Sequence, residues 1–279
     1  MKWTNYHSHT HFSDGKGEPE LYVQSAIEKG MYAYGFSCHS PLPFESGWNM
    51  KFENLRNYIL EIKRLKEKYH GSIKIYLSLE LDYVKDWIGL DQYKKYNLDY
   101  TIGAVHFLGF FEDGPVWDFD RGSPWFKKGL EILFDNDIKK LVAYYFQQVT
   151  DMAEILKPDV VAHFDLIKKY NANHAFFDES EAWYKEIAFA ALEKISKTGS
   201  IVEVNTRGVL KKLNNEFYPS NFILERCKEL NIPLCLSADT HHPTDVMALL
   251  PEAKALLQQI GYKEVSIYDE KGWNSTPIF

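Results

Sequence analysis

A closed α/β barrel is the fold class this sequence predicts, and three observations predict it. Strand-like and helix-like runs alternate along nearly all of the 279 residues, with no Pro/Gly/Ser linker or repeated block between them; such alternation builds a parallel sheet wrapped by helices. The series holds seven or eight strand-helix units, which points to a ring rather than an open sheet. The ionisable residues gather at or just past the ends of the strand-like runs, the end where a parallel barrel collects its chemistry. Length alone fits one large barrel or two small domains. The unbroken series favours a single domain over residues 1–279.

The elements follow in order. Trp3 to His7 reads as the first strand, and Pro19 to Lys29 as a helix opened by a proline and stopped at Gly30. Ala33 to Ser37 is the second strand, Asn54 to Tyr69 a helix and Ile73 to Leu81 the third strand. A short helix near Asp86 to Lys95 precedes the fourth strand, Tyr100 to His106. The stretch from Leu108 to Trp125, rich in Phe, Trp, Asp and Gly, exceeds ordinary connections and reads as a functional loop or lid. Then come helix Asp137 to Leu156, strand Val160 to Phe164, helix Glu179 to Lys197 and strand Ile201 to Asn205. Helix Pro219 to Glu229, strand Pro233 to Ala238, helix Thr244 to Ile260 and a last run Val265 to Tyr268 complete the chain.

Composition narrows the function. The chain is 45% hydrophobic and 25% charged, an ordinary globular balance. Its net charge of -7 offers no basic footprint for DNA or RNA, so a nucleic-acid partner is not expected. Cys38, Cys227 and Cys235 are odd in number and sparse, which points to the reducing cytoplasm. No apolar stretch approaches the roughly 20 residues that span a bilayer, so no membrane partner is expected.

The chemistry begins at His7-Ser8-His9, whose alternation in a strand turns two imidazoles to one face, with Asp14 able to reach back from the following loop. Eight of the ten histidines, at 7, 9, 11, 39, 106, 163, 241 and 242, lie at strand ends; His70 and His174 lie elsewhere. Glu80, Glu203, Asn205 and Asp239 lie at strand ends as well. Histidines and carboxylates converging on one barrel mouth without cysteine make a multi-metal site suited to Zn, Mn or Fe.

The order His7-x-His9 with Asp14, then His39, Glu80 in Ser-Leu-Glu-Leu-Asp, His106, His163 and Asp239-x-His241 resembles the polymerase and histidinol phosphatase (PHP) superfamily. Gly103-Ala104-Val105-His106-Phe107-Leu108, Ala162 to Ile167, Glu203-Val204-Asn205-Thr206 and Tyr218-Pro219-Ser220 resemble its histidinol-phosphatase branch. The resemblance implies a distorted TIM-like barrel of seven strand-helix units holding two to three divalent ions. It implies that His7, His9, Glu80 and Asp239 bind the first ion. Glu80 then bridges to a second held by His106 and His163, while Asp14, His39 and His241 hold a third. At Asp14 the chain departs from some members, which place a histidine one residue later. His11 and His242 have no matching role.

The implied reaction is hydrolysis of L-histidinol phosphate, with water activated between two ions that share Glu80. Lys168 matches a position where the branch carries a phosphate-binding arginine, and Arg207 adds a second cation; its alternative is an ion pair with Glu203. Asp239 or His241 could return a proton to the departing oxygen. The Leu108 to Trp125 loop, with Phe110, Phe111, Glu112, Trp117, Asp118 and Asp120, and the segment from His39 to Glu45 are expected to recognise the imidazole and ammonium of the substrate. The competing readings are a phosphoesterase acting on another small phosphate ester or a nucleotide, an amidohydrolase, and a metal-binding module without catalysis. An amidohydrolase would have a bridging lysine or a different histidine order, whereas here Glu80 takes the bridging place.

Overall fold

The computed structural model describes residues 2–85, 87, 91–112 and 114–279. Its elements run β1 (Thr4–Asn5), α1 (Pro19–Glu28), β2 (Ala33–Phe36), α2 (Phe52–Lys68), β3 (Lys74–Leu77), β4 (Glu80–Asp82) and α3 (Asp91–Lys94). Then follow β5 (Ile102–Ala104), β6 (Phe107–Phe110), β7 (Val116–Asp118), α4 (Ser123–Phe134), α5 (Ile138–Leu156), β8 (Val160–Val161), α6 (Ala182–Ile195) and β9 (Ile201–Asn205). The chain ends with α7 (Arg207–Leu210), α8 (Asn221–Glu229), β10 (Leu234–Ser237), α9 (Leu250–Ile260), β11 (Glu264–Asp269) and β12 (Gly272–Pro277).

Parallel pairing runs β1-β2-β3 in one stretch and β4-β5-β8-β9-β10 in the other. The expected third strand breaks at Ser78 and Leu79, where the Ser78 carbonyl accepts from the Tyr58 hydroxyl at 2.8 Å. The break turns the run away from β2 and toward β5, and the bridge His39–Glu80 holds the bend. A second bridge, Ser8–Thr240, brings the end of β10 back to β1 and closes the ring. Asn5 supplies the missing rungs there with its side chain, donating to Thr240 Oγ1 at 2.9 Å and accepting from the Ala238 amide at 3.2 Å.

The ring encloses its own core. Tyr6, Ala33, Tyr76, Ile102, Val160, Ile201 and Cys235, one from each of seven strand runs, pack together inside it. A larger core lies between the strands and the helices outside. Helix α2 shows how the sequence makes that layer: Leu55, Tyr58, Ile59, Ile62 and Leu65 recur at three- and four-residue spacing and are all buried. Helix α5 starts where Asp137 accepts from the Lys140 amide at 3.0 Å, satisfying one of the free donors of its first turn.

Three stretches differ from the sequence expectation. The Leu108 to Trp125 loop is a β6–β7 hairpin followed by the start of α4; Asp113 lies outside the described residues. The hairpin folds inward because Trp117 is fully buried against Gly129 of α4, where a Cβ would stand 1.9 Å from the indole. The last run is an antiparallel hairpin, β11–β12, not a barrel strand. It lays Tyr268 and Trp273 against Tyr6, with ring centroids of Tyr6 and Trp273 5.1 Å apart. Of the short helix expected near Asp86 to Lys95, residues Asp86, Ile88, Gly89 and Leu90 lie outside the described residues, and α3 is the helical part described. No helix among the described residues is long and apolar enough to cross a membrane.

Candidate metal centre and active site

Because the strands are parallel, residues just past their C-terminal ends meet over one mouth of the ring. His7 and His9 follow β1, His39 follows β2, Glu80 opens β4, His106 follows β5, His163 follows β8, Glu203 lies in β9, and Asp239 and His241 follow β10. Many of these side chains line a cavity of about 580 Å³.

Glu80 sits at the centre. Its Oε1 is 3.1 Å from His163 Nε2, and its Oε2 lies 2.9 Å from His39 Nδ1, 3.3 Å from His7 Nε2 and 3.4 Å from His9 Nε2. Asp239 Oδ1 is 3.4 Å from His9 Nε2 and 3.8 Å from His7 Nε2. Asp14 Oδ2 is 2.9 Å from His241 Nε2, and its Oδ1 is 3.8 Å from His39 Nε2. Asp14 reaches this position because Gly15 folds back onto His9: a Cβ there would lie 2.1 Å from the His9 carbonyl oxygen.

Three groups of donors thus form, each compact enough for one ion: His7, His9 and Asp239; Glu80, His106 and His163; and His9, Asp14, His39 and His241. A fourth grouping, His39, Asp82 and His106, lies alongside them. The chemistry of the donors fits divalent metal. His7 Nε2, both ring nitrogens of His9, Glu80 Oε2, His163 Nδ1 and Asp239 Oδ1 are buried with no hydrogen-bond partner among protein groups. Orphaned lone pairs in this number are costly unless a cation takes them.

Electrostatics agree. Burial works to lower His7, yet the carboxylates of Glu203, Glu80 and Asp239 outweigh it and hold the imidazole well above its usual value. His9, equally buried but beside His241 and His39, is pushed down to about 3. Burial opposes ionisation of Glu80 and Asp239 as well. The imidazoles of His39 and His7 beside Glu80, and of His7 and His9 beside Asp239, nevertheless hold both carboxyls well below the ordinary carboxylate range.

Two of the central residues sit on left-handed backbone, Asp239 at φ 45° and His163 at φ 21°. Such conformations cost energy in a residue with a Cβ and are retained where the surroundings fix them. Here the His163 amide donates to Glu203 Oε1 at 2.8 Å, and Arg207 Nη1 donates to the Asp239 carbonyl at 3.1 Å.

The cations divide differently from the sequence expectation. Lys168 does not face the cavity: its buried Nζ donates to the Phe217 carbonyl at 2.9 Å and pairs with Asp165 Oδ2 at 3.0 Å, beside a separate hollow of about 540 Å³. The short turn Leu166–Lys168 carries Lys168 inward and turns the next residue, Lys169, to the cavity, where its Nζ meets Asp120 Oδ2 at 2.9 Å. Arg207 also lines the cavity and does not pair with Glu203. Glu203 instead accepts from His7 Nδ1 at 2.9 Å, while Asn205 joins Glu203 Oε1 at 2.7 Å to Asp239 Oδ2 at 3.2 Å.

Of the loop residues expected to meet substrate, Asp120 lines the cavity, whereas Trp117 is core and Phe110 is 42% exposed on the outside. Asp118 is buried and holds rings, accepting from Trp48 Nε1 at 3.1 Å and Trp125 Nε1 at 2.8 Å. Trp48, which the sequence reading did not single out, lines the cavity and stands edge-on to His39 at 4.4 Å between ring centroids. Asp82 was visible in the motif around Glu80 but carried no assignment, and it accepts from His106 Nδ1 at 2.6 Å. His11 and His242 stay at the surface, bonded to Gly17 and Thr244.

The chain is similar to a protein of Deinococcus radiodurans named "Probable histidinol-phosphatase", 28% identical over 91% of this chain and 92% of the relative. It is 26% identical to the histidinol-phosphatase of Bacillus subtilis over 88% of this chain and 96% of the relative. Among solved structures, a candidate histidinol phosphatase of Listeria monocytogenes superposes with a TM-score of 0.81 at 23% identity, covering 89% of this chain and 99% of that one. The histidinol phosphate phosphatase of Lactococcus lactis, complexed with Zn, L-histidinol and phosphate, gives 0.71 at 22% identity, covering 98% of this chain and 99% of that one. The fold is therefore that of these barrels. The PHP domain pattern matches residues 5–207, taking in six of the seven strand runs and the ligand-type residues from His7 to His163, and with it the chain belongs to the PHP domain family.

Proposed function

We propose that this chain is a metal-dependent phosphomonoesterase that hydrolyses L-histidinol phosphate to L-histidinol and phosphate. The observation that carries the reading is the convergence of three His/carboxylate groups on one cavity that also presents Arg207 and Lys169. Relatives named for this activity align along almost the whole chain, and the Lactococcus lactis structure holds Zn, L-histidinol and phosphate.

His7, His9, Glu80 and Asp239 would hold a first divalent ion, Glu80, His106 and His163 a second, and Asp14, His39 and His241 a third. Bound divalent ions, Zn, Mn or Fe, supply Lewis acidity to phosphoryl oxygens and lower the pKa of water toward neutrality. The protein's own contribution is charge and position. Arg207 and Lys169 hold the phosphoryl group over the donors. Arg207 is fixed for this by its bond to the Asp239 carbonyl, and Lys169 by Asp120, whose carboxyl its ammonium and His106 keep low against the effect of burial. Asp239 Oδ1 or His241 Nδ1, 3.4 Å apart, takes up the proton released by the attacking water and returns it to the departing alkoxide. Among the described residues Asp120 is the one lining carboxylate outside the three ligand sets, and it attracts the substrate ammonium; Trp48 faces the imidazole.

The barrel works as one unit over residues 1–279, because β10, beyond the matched stretch, leads directly into Asp239 and the Thr240 bridge that closes the ring on β1. We place the enzyme in the cytoplasm, consistent with three unpaired buried cysteines. Its partner is a small phosphate ester. The decisive assay sets Mn- or Zn-loaded protein against histidinol phosphate, fructose bisphosphate, a nucleoside monophosphate and a dinucleotide. Selective turnover of the first is expected, and turnover of only the others overturns the reading.

A further inference from the structure

Asp82 lies two residues past Glu80 on β4, is fully buried, and belongs to none of the three ligand sets. Its two carboxylate oxygens are divided between histidines from two of them. Oδ1 accepts from His106 Nδ1 at 2.6 Å, and Oδ2 accepts from His39 Nδ1 at 3.2 Å and from Asn49 Nδ2 at 2.6 Å. Three N–H donors converge on this carboxylate, one of them an uncharged amide. An ion placed among them would meet the amide hydrogens, so the His39, Asp82 and His106 grouping is an acceptor hub and not a fourth ion site.

Each bond holds an imidazole by its Nδ1, which in His39 also lies 2.9 Å from Glu80 Oε2, and leaves Nε2 directed elsewhere. For His39 that nitrogen faces Asp14, at 3.8 Å; the His106 ring faces that of His163, with centroids 4.9 Å apart. An imidazole held in one tautomer and one orientation is a better ligand than a freely turning one, and losing such support weakens metal affinity by about 10- to 100-fold. Most supporting carboxylates serve one ligand. Here a single carboxylate orients a ligand of the Glu80–His106–His163 group through Oδ1 and a ligand of the Asp14–His39–His241 group through Oδ2.

We infer that Asp82 is a positioning residue that couples the two ion sites containing His106 and His39, so that they fill and empty together. The inference rests on the proposed metal sites. Asn49, which anchors Oδ2 and also donates to the Ser40 carbonyl at 2.9 Å, sets how firmly the carboxylate is held. The ion bound by His7, His9 and Asp239 has its own support in Glu203, which accepts from His7 Nδ1; it shares Glu80 with the His106 site but contains no imidazole that Asp82 holds.

The test uses metal-stripped full-length protein titrated with Mn²⁺ and followed by calorimetry, with occupancy at each site read from anomalous scattering of crystals soaked at graded Mn²⁺ concentrations. In Asp82→Asn, occupancy at the His106 and His39 sites should weaken together by about 10- to 100-fold, while the site of His7, His9 and Asp239 stays within threefold of wild type. Asn49→Ala keeps every candidate ligand and Asp82 itself, and it should shift the same two sites together by a smaller factor; it carries the test if Asp82→Asn does not fold. Unchanged occupancy, weakening at one of the two sites alone, or equal weakening at all sites overturns the coupling. If wild type itself takes up no metal, it is the proposed function that fails.

Discussion

Lys169 Nζ lies 2.9 Å from Asp120 Oδ2 across the wall of the cavity, while its neighbour Lys168 points the other way into a buried pair with Asp165. Two consecutive lysines therefore make opposite predictions. Lys169→Ala should lower kcat/KM on the order of 100-fold with little change in melting temperature, and Lys169→Arg should restore much of the loss. Lys168→Ala leaves Asp165 buried without its counter-charge and should cost about 3–5 kcal/mol of stability. Denaturant titrations beside steady-state kinetics separate the two; equal kinetic defects in both, with stability intact, would contradict the assignment.

The proton assigned to Asp239 and His241 matters only when the leaving group needs one. Asp239→Asn and His241→Asn should each depress turnover of histidinol phosphate by about 10²-fold or more. At saturating Mn²⁺, which offsets the weakened ion site, each should hurt p-nitrophenyl phosphate, whose phenolate departs unaided, distinctly less. A variant of either residue that keeps full turnover on the alkyl ester would remove that residue from the step.

Metal binding should tighten as pH rises. In the metal-free protein His7, His39 and His106 hold their protons more strongly than free imidazole, because nearby carboxylates outweigh the effect of burial. Each ion must displace such protons, so uptake releases them to solvent. The same shift sets a stability trend: a raised imidazole stabilises the metal-free fold fully below the unfolded value near 6.5 and loses that contribution as pH climbs through the folded value. Calorimetry in buffers of different ionisation enthalpy should detect the released protons, and the melting temperature of chelator-treated protein should fall above neutrality. Affinity that is flat or falling with pH would contradict the sign.

Trp48 is held at the cavity by Asp118, which accepts from its indole nitrogen, and by stacking on Phe107. Trp48→Ala should raise KM for histidinol phosphate several-fold while leaving p-nitrophenyl phosphate nearly unaffected, and Asp118→Asn should do the same more weakly. Equal effects on both substrates would make the ring a packing element.

The strand ends were legible because histidine and carboxylate types repeat at the one place along each strand where a parallel ring exposes them. What spacing could not show is where the chain turns within a few residues. Whether Lys168 or Lys169 faces the cavity depends on one turn at Leu166–Lys168, whose orientation is set by Phe217 and Ser220, about fifty residues away. The β6–β7 hairpin is not legible because Trp117 looks like a pocket aromatic until Gly129 gives the indole somewhere to lie. Asp82 alternates with Glu80 on one short strand. The alternation puts both on one face, but it does not show that Glu80 gathers four imidazoles while Asp82 accepts from the Nδ1 atoms of His39 and His106.

The seam between β1 and β10 carries one parallel bridge, Ser8–Thr240, with the Asn5 amide standing in for further rungs. His7 and His9 stand on one side of that seam, and Asp239 and His241 on the other. An ion gripped from both sides is a rivet through the joint of the cylinder, so loading should slow amide exchange most along residues 5–9 and 238–241, and chelation should let the hoop spring there first.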